Sequence, residues 1–130
     1  MRIEQVSVFA ENKPGRLMAI LEVLEKADIN LRAISVAETD EFGIVRMIMD
    51  NHEKAVSALK NAGFTVRTDA LICGEAPDVE GGLLNSVIKP LAKEGINIDY
   101  FYTYLDKTPN KAMIVIKCSD LEKAEEILYK

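Results

Sequence analysis

The chain has 130 residues, of which 48% are hydrophobic and 28% charged, the balance of an ordinary globular protein. A net charge of −5 with no cluster of Lys and Arg argues against a surface built to neutralise nucleic-acid phosphates. No apolar run approaches the roughly 18 residues of a membrane span, and the charged start MRIEQVSVFAEN lacks a signal peptide's apolar stretch, so a cytoplasmic protein is expected. Cys73 and Cys118 lie in the apolar contexts LICG and VIKC, far from CxxC spacing, which predicts two buried, reduced thiols rather than a zinc or redox pair.

In chain order, Ile3 to Ala10 alternates loosely and predicts a half-buried strand. Glu11-Asn12-Lys13-Pro14-Gly15 punctuates it, with Asn12 as a candidate N-cap and Pro14 suited to a first helical turn. Leu17, Ile20, Leu21 and Leu24 then fall at the spacing of a helix packed on one side, ending near Ala27 or Asp28. Leu31 to Ala37 and Ile44 to Met49 read as paired strands across a turn at Thr39 to Gly43. Asp50 and Glu53 form a variant capping box opening a second helix, with Ala55, Leu59 and Ala62 inward and Gly63 as its stop. Phe64 to Glu75 is long and strand-like.

The chain then repeats itself. GRLMAILEVLEKADINL, starting at Gly15, aligns without a gap onto GLLNSVIKPLAKEGINI, starting at Gly82, with Leu24/Leu91, Ile29/Ile96 and Asn30/Asn97 among the identities. In the second copy Ala76 to Gly82 is the loop and Leu83 to Glu94 the helix, which Pro90 should kink by removing a hydrogen bond. Ile98 to Leu105 and Met113 to Cys118 are strands about a turn at Asp106 to Asn110. Ser119 and Glu122 repeat the capping box before a stripe of Leu121, Ala124, Ile127 and Leu128. Each copy reads β-α-β-β-α, and only the first continues into another strand.

The fold class is therefore α+β, with two tandem modules at 1-68 and 69-130. Each has an antiparallel sheet with its helices on one face, and the second lacks its last strand. The edge so exposed must be covered by a strand from this chain or from a partner, which favours a homodimer. Segment 64–75 is long enough, at about 3.3 Å per residue, to finish one sheet and begin the next.

A strand, then E-N-K-P-G-R-L, then an amphipathic helix and D-I-N-L at the next strand resembles the ACT domain. That family is a ferredoxin-like βαββαβ module that binds small molecules, usually amino acids, and regulates enzymes of amino-acid metabolism. The resemblance covers nearly the whole chain as two copies, although the second reads D-V-E-G-G-L, with Gly81 where the first has Pro14. It implies ligand-binding residues Glu11, Asn12, Pro14, Gly15, Arg16, Leu17 and Asn30, and in the second copy Asp78, Gly81, Gly82, Leu83 and Asn97. The two asparagines reach a ligand across a domain interface in similar domains. The physics is compatible: a helix start presents unpaired amides and partial positive charge to a carboxylate, glycine leaves the approach open, and Glu11, Asn12 or Asp78 could accept from an ammonium group. Helix-start chemistry alone would look the same without a ligand. Pro14 makes the first loop the more preorganised, and it is expected to be the better binder.

Tyr100, Tyr102 and Tyr104 share one face at period two, as an interface or core patch first and a pocket wall second. His52 sits at a helix start as a surface residue. No catalytic pair, phosphate loop or metal cluster is legible, so neither enzyme activity nor a cofactor is expected. The reading is a stand-alone regulatory protein that binds an amino acid, associates with itself and acts on an enzyme of amino-acid metabolism. The alternative is a ligand-free module that binds an enzyme partner.

Overall fold

The structure, a computed structural model, describes residues 2–104 and 109–129. The elements are β1 (Arg2–Glu11), α1 (Arg16–Lys26), β2 (Leu31–Glu38), β3 (Phe42–Met49), α2 (His52–Asn61), β4 (Thr65–Pro77), a π-helical turn (Leu84–Ile88), α3 (Lys89–Lys93), β5 (Ile98–Tyr104), β6 (Lys111–Cys118) and α4 (Leu121–Leu128). Leu105 and residues 106–108 of the expected turn lie outside the described residues, while Pro109 and Asn110 do form a turn.

The chain divides into two compact units, Glu4–Asp69 and Ala70–Lys130, the latter with residues 1–3. In the first, the strand order is β2-β3-β1-β4. β1 and β2 flank β3 antiparallel, with Val6 opposite Met47 and Val36 opposite Val45. Ile20 and Leu24 of α1 and Ala55 and Leu59 of α2 bury against Val6, Val8, Val45 and Met47. In the second unit β6 pairs antiparallel with both β4 and β5. Ile72, Ala76, Ile114 and Ile116 form a core with Val87, Leu91 and Ala124. This is the α+β, ferredoxin-like arrangement in tandem. Both cysteines are free and buried, as expected.

The single strand β4 ends one unit at Asp69 and begins the other at Ala70. Part of the place of the strand missing from the second copy is taken by the start of β1. Strand β1 neighbours β4, Arg2 and Ile3 belong to the second unit, and Arg2 Nε lies 3.5 Å from Glu125 Oε1 of α4. At about 3.3 Å per residue the 10 residues of β1 reach far enough to do this. That edge therefore gives no reason to expect a partner.

Local boundaries differ from the sequence reading in instructive ways. Asn51, not Asp50, caps α2 through Oδ1 accepting from Lys54 N at 3.2 Å, because Asp50 is engaged by Arg32 at 3.5 Å. Asp120, not Ser119, caps α4 by accepting from Lys123 N at 3.0 Å, because the Ser119 hydroxyl accepts from Asn97 N at 3.1 Å. Pro90 is accommodated by the π turn: Lys89 N–H donates to Leu84 O, five residues back, just before the residue that has no N–H. Only Ile20 and Leu24 of the predicted α1 stripe are buried, leaving Leu17 and Leu21 exposed. His52 opens α2 and is partly exposed.

Deleting residues 1–3 should lower the melting temperature and speed amide exchange in residues 70–77 of β4. Unchanged exchange there would show that the start of β1 does not complete the second unit.

Candidate ligand-binding site

The loop from Glu11 to Gly15 and the first turn of α1 overhang one end of the first sheet, above a pocket of about 280 Å³. Two rows of the sheet make its floor. Glu38, Gly43 and Ala10 lie side by side across β2, β3 and β1, and Val36 lies beside Val45 in the next row. Ile20 and Leu17 close it from α1, and Asn12, Lys13 and Arg16 line its rim. Gly43 keeps the floor open: a Cβ there would lie 3.6 Å from Ala37 O, an ordinary contact, so absent volume rather than backbone strain is its contribution.

The expected cap does not form. Asn12 turns away from the helix, and its Nδ2 donates to Glu38 Oε2 at 2.7 Å and to the Thr39 carbonyl at 3.3 Å. Pro14 stands in the turn before the helix, and Gly15 is the N-cap, with φ +87° and no side-chain hydrogen bond. That left-handed conformation suits glycine, and no atom lies within 4 Å of where its Cβ would be. The Arg16 amide donates to the Lys13 carbonyl at 3.3 Å, and the first turn has neither an acidic residue nor a side-chain cap to answer its partial positive charge.

Charge at the rim is unevenly matched. Glu11 pairs with Lys13 at 3.1 Å, both well exposed, and Glu38 is held by Asn12. Arg16 stacks over the Phe64 ring at 5.2 Å, and its Nε is buried without a hydrogen-bond acceptor. A buried donor left unmade costs about 1–3 kcal/mol. Ala10, Lys13, Ile20, Val36, Glu38, Gly43 and Val45 line the pocket but were not among the ligand-binding residues expected from sequence. The period-two alternation of β2 could have marked Val36 and Glu38 as sharing a face at the loop end of the strand.

Asn30 is exposed just before β2 and is not part of this pocket's wall. Eight residues separate it from Glu38, roughly 25 Å along an extended strand, so one copy cannot bring both to one ligand. Asn97 is committed locally: its Nδ2 donates to Asp99 Oδ1 at 3.0 Å, and its backbone N–H and carbonyl tie to Ser119.

The second loop does not reproduce the first. Lys13 N–H to Glu11 O, Arg16 N–H to Lys13 O and Ala19 N–H to Gly15 O recur as Val79 to Pro77, Gly82 to Val79 and Asn85 to Gly81, all 66 residues on. After the helices the spacing is 67, as Ile29 N–H to Leu24 O recurs as Ile96 to Leu91. The π turn takes up the extra residue. The structural partner of Gly15 is therefore Gly81, at φ +73°, and that of Arg16 is Gly82, not Leu83. Gly82 admits no side chain, because a Cβ would collide with the Pro77 carbonyl. Asp78 takes the place of Asn12, its N–H bonded to Asn110 O at 2.9 Å, and Leu83 lies half exposed in the first helical turn. The pocket described in the second unit lies instead among Asn85, Lys89, Pro90, Lys93, Glu94 and Ile127. Tyr100, Tyr102 and Tyr104 share a face of β5, with the first two rings stacked at 6.5 Å, opposite Lys117, Met113 and the buried Val115.

Among the described residues no group of three or more His, Cys, Asp or Glu could hold a metal, and no helix is long and apolar enough to cross a membrane. The profile of the family described as "ACT domain pair" matches residues 1–130. The crystal structure of protein BT0572 from Bacteroides thetaiotaomicron is similar, at 39% identity and TM-score 0.91, over 99% of this chain and 88% of that one. The regulatory subunit of aspartate kinase from Thermus thermophilus, in a ligand-free form, shares the fold at 15% identity and TM-score 0.69, over 98% and 89% of the two chains. The corresponding Thermus flavus subunit does so at 15% and 0.64, over 97% and 90%. No curated protein sequence matches the chain.

Gly82→Ala should destabilise the protein by about 1–3 kcal/mol through overpacking against the Pro77 carbonyl. Gly15→Asn should cost little, since asparagine tolerates the left-handed conformation and meets no atom. Chemical denaturation compares the two, and equal losses would contradict the register of the second loop.

Proposed function

Because the chain belongs to the ACT domain pair family, we propose that it is a non-catalytic regulatory protein that binds an amino acid in the pocket under the first loop. One observation carries this reading: the pocket is lined by the apolar Ala10, Leu17, Ile20, Val36 and Val45 together with Arg16, whose Nε has no hydrogen-bond acceptor among the described residues. The second loop, with Gly82 where the first has Arg16, holds no equivalent ligand.

We propose further that two copies complete the site. β2 is an edge strand that exposes Ile34 and Val36, the latter at 54%, with neither Lys nor Pro to protect it. Antiparallel pairing of this edge with that of a second copy carries the second copy's Asn30 to the Glu38 end of the strand, beside the pocket. The exposed Leu17, Met18 and Leu21 of α1 favour a second reading, in which that face docks on the regulated enzyme.

An amino acid at 100 times its dissociation constant should stabilise the protein by roughly 2.7 kcal/mol in thermal melts. Asn12→Ala and Asn30→Ala should each weaken binding alone. Mixing the two variants in equal amounts should restore about a quarter of the sites, because random exchange makes half of the dimers mixed and one of the two sites in a mixed dimer has both asparagines. A mixture no better than either variant would place the site within one copy.

A further inference from the structure

Building on the amino-acid reading of the first pocket, we propose that its ligand carries a branched aliphatic side chain, with its carboxylate on Arg16 and its ammonium group on Glu38. Arg2, Arg32 and Arg67 each have a carboxylate within 3.5 Å, whereas Arg16 has the Phe64 face and no carboxylate ion pair among the described residues; its buried Nε, like that of Arg32, makes no hydrogen bond. A guanidinium so placed, desolvated on one side by the ring, selects a planar two-oxygen anion.

Glu38 is the carboxylate best prepared for a cation. It ends β2 on the pocket side, and the 2.7 Å bond from Asn12 fixes its Oε2, whereas Glu11 is already paired with Lys13. An α-amino acid places its carboxylate and ammonium on adjacent atoms, which matches a pocket that is lined by both Arg16 and Glu38, beside the mutually paired Glu11 and Lys13.

The rest of the pocket decides the side chain. Ala10, Ile20 and Val45 are almost fully buried, Val36 and Leu17 complete the wall, and the backbones of β1, β2 and β3 bond one another in the ladder. A ligand hydroxyl, amide or charge laid against Ala10, Ile20 and Val45 would find no hydrogen-bonding side chain among them, whereas an aliphatic group needs none. The volume of about 280 Å³ lies just below the usual range for drug-sized ligands, about 300–1,000 Å³, and suits a small aliphatic metabolite. The absence of a side chain at Gly43 makes the room for it.

Calorimetry with the twenty amino acids, and with the 2-oxo acids of valine, leucine and isoleucine, tests the proposal on the full chain. Valine, leucine or isoleucine should bind at least tenfold tighter than threonine, glutamate, lysine or phenylalanine, and tenfold tighter than the matching oxo acid. Arg16→Leu, which keeps an apolar contact to Phe64, should reduce affinity at least tenfold for amino acid and oxo acid alike. Glu38→Gln should do so for the amino acid and leave the oxo acid unchanged. Gly43→Val should block both by filling the floor, and unliganded melting curves confirm that each variant is folded. Tighter binding of a polar, charged or aromatic amino acid would overturn the side-chain assignment while leaving the amino-acid reading intact. Wild-type affinity in Arg16→Leu would overturn the carboxylate assignment. Binding of none of the twenty would defeat this proposal together with the reading beneath it.

Discussion

Helix α1 begins on a glycine in a left-handed conformation, and the nature of the site follows from that constraint. A side-chain cap would have satisfied the first-turn amides and drawn the preceding loop onto the helix. Gly15 makes no such bond, so Asn12 is free to reach across to Glu38 and Thr39. The loop is thereby held over the sheet end instead of against the helix. The pocket, the unneutralised Arg16 and the oriented Glu38 all result from where that one asparagine goes.

The same constraint separates the loops of the two copies. In the second copy the left-handed glycine comes one residue earlier in the repeat, at Gly81, and a π turn restores the register before Leu91. The position that carries Arg16 in the first loop then falls on Gly82, against the Pro77 carbonyl. A helix start can lose its cation in this way while its core residues, Leu91 and Ile96, keep the places of Leu24 and Ile29. Packing and binding respond to different parts of the same segment, and one inserted residue separates them.

The fold was legible in the sequence because the apolar periodicities are strong. The stripe holding Ile20 and Leu24, the β2–β3 hairpin and the length of the segment after Gly63 each predicted an element within a few residues. What could not be read was anything decided by competition between neighbours. Asp50 and Ser119 look like caps, but Arg32 and Asn97 engage them first. The strand missing from the second copy was correctly noticed, yet nothing local in R-I-E announces that β1 also serves that unit. For the site, Glu11, Asn12, Arg16 and Leu17 were legible from the loop pattern and do line the pocket. Glu38, Val36 and Gly43 were not, because they reach it only through strand pairing. Gly82 was matched to Gly15 by an alignment without gaps, and a π turn leaves no gap to see.

The number of ligands bound per chain tests the account most directly, since it asks whether the register shift removed the second site. Calorimetric titration of the full chain with the best-binding amino acid should give one equivalent per chain, released into the pocket beside Arg16. Two equivalents of similar affinity would contradict the account, because the loop at Gly81 and Gly82 would then bind without the cation on which the first site is built.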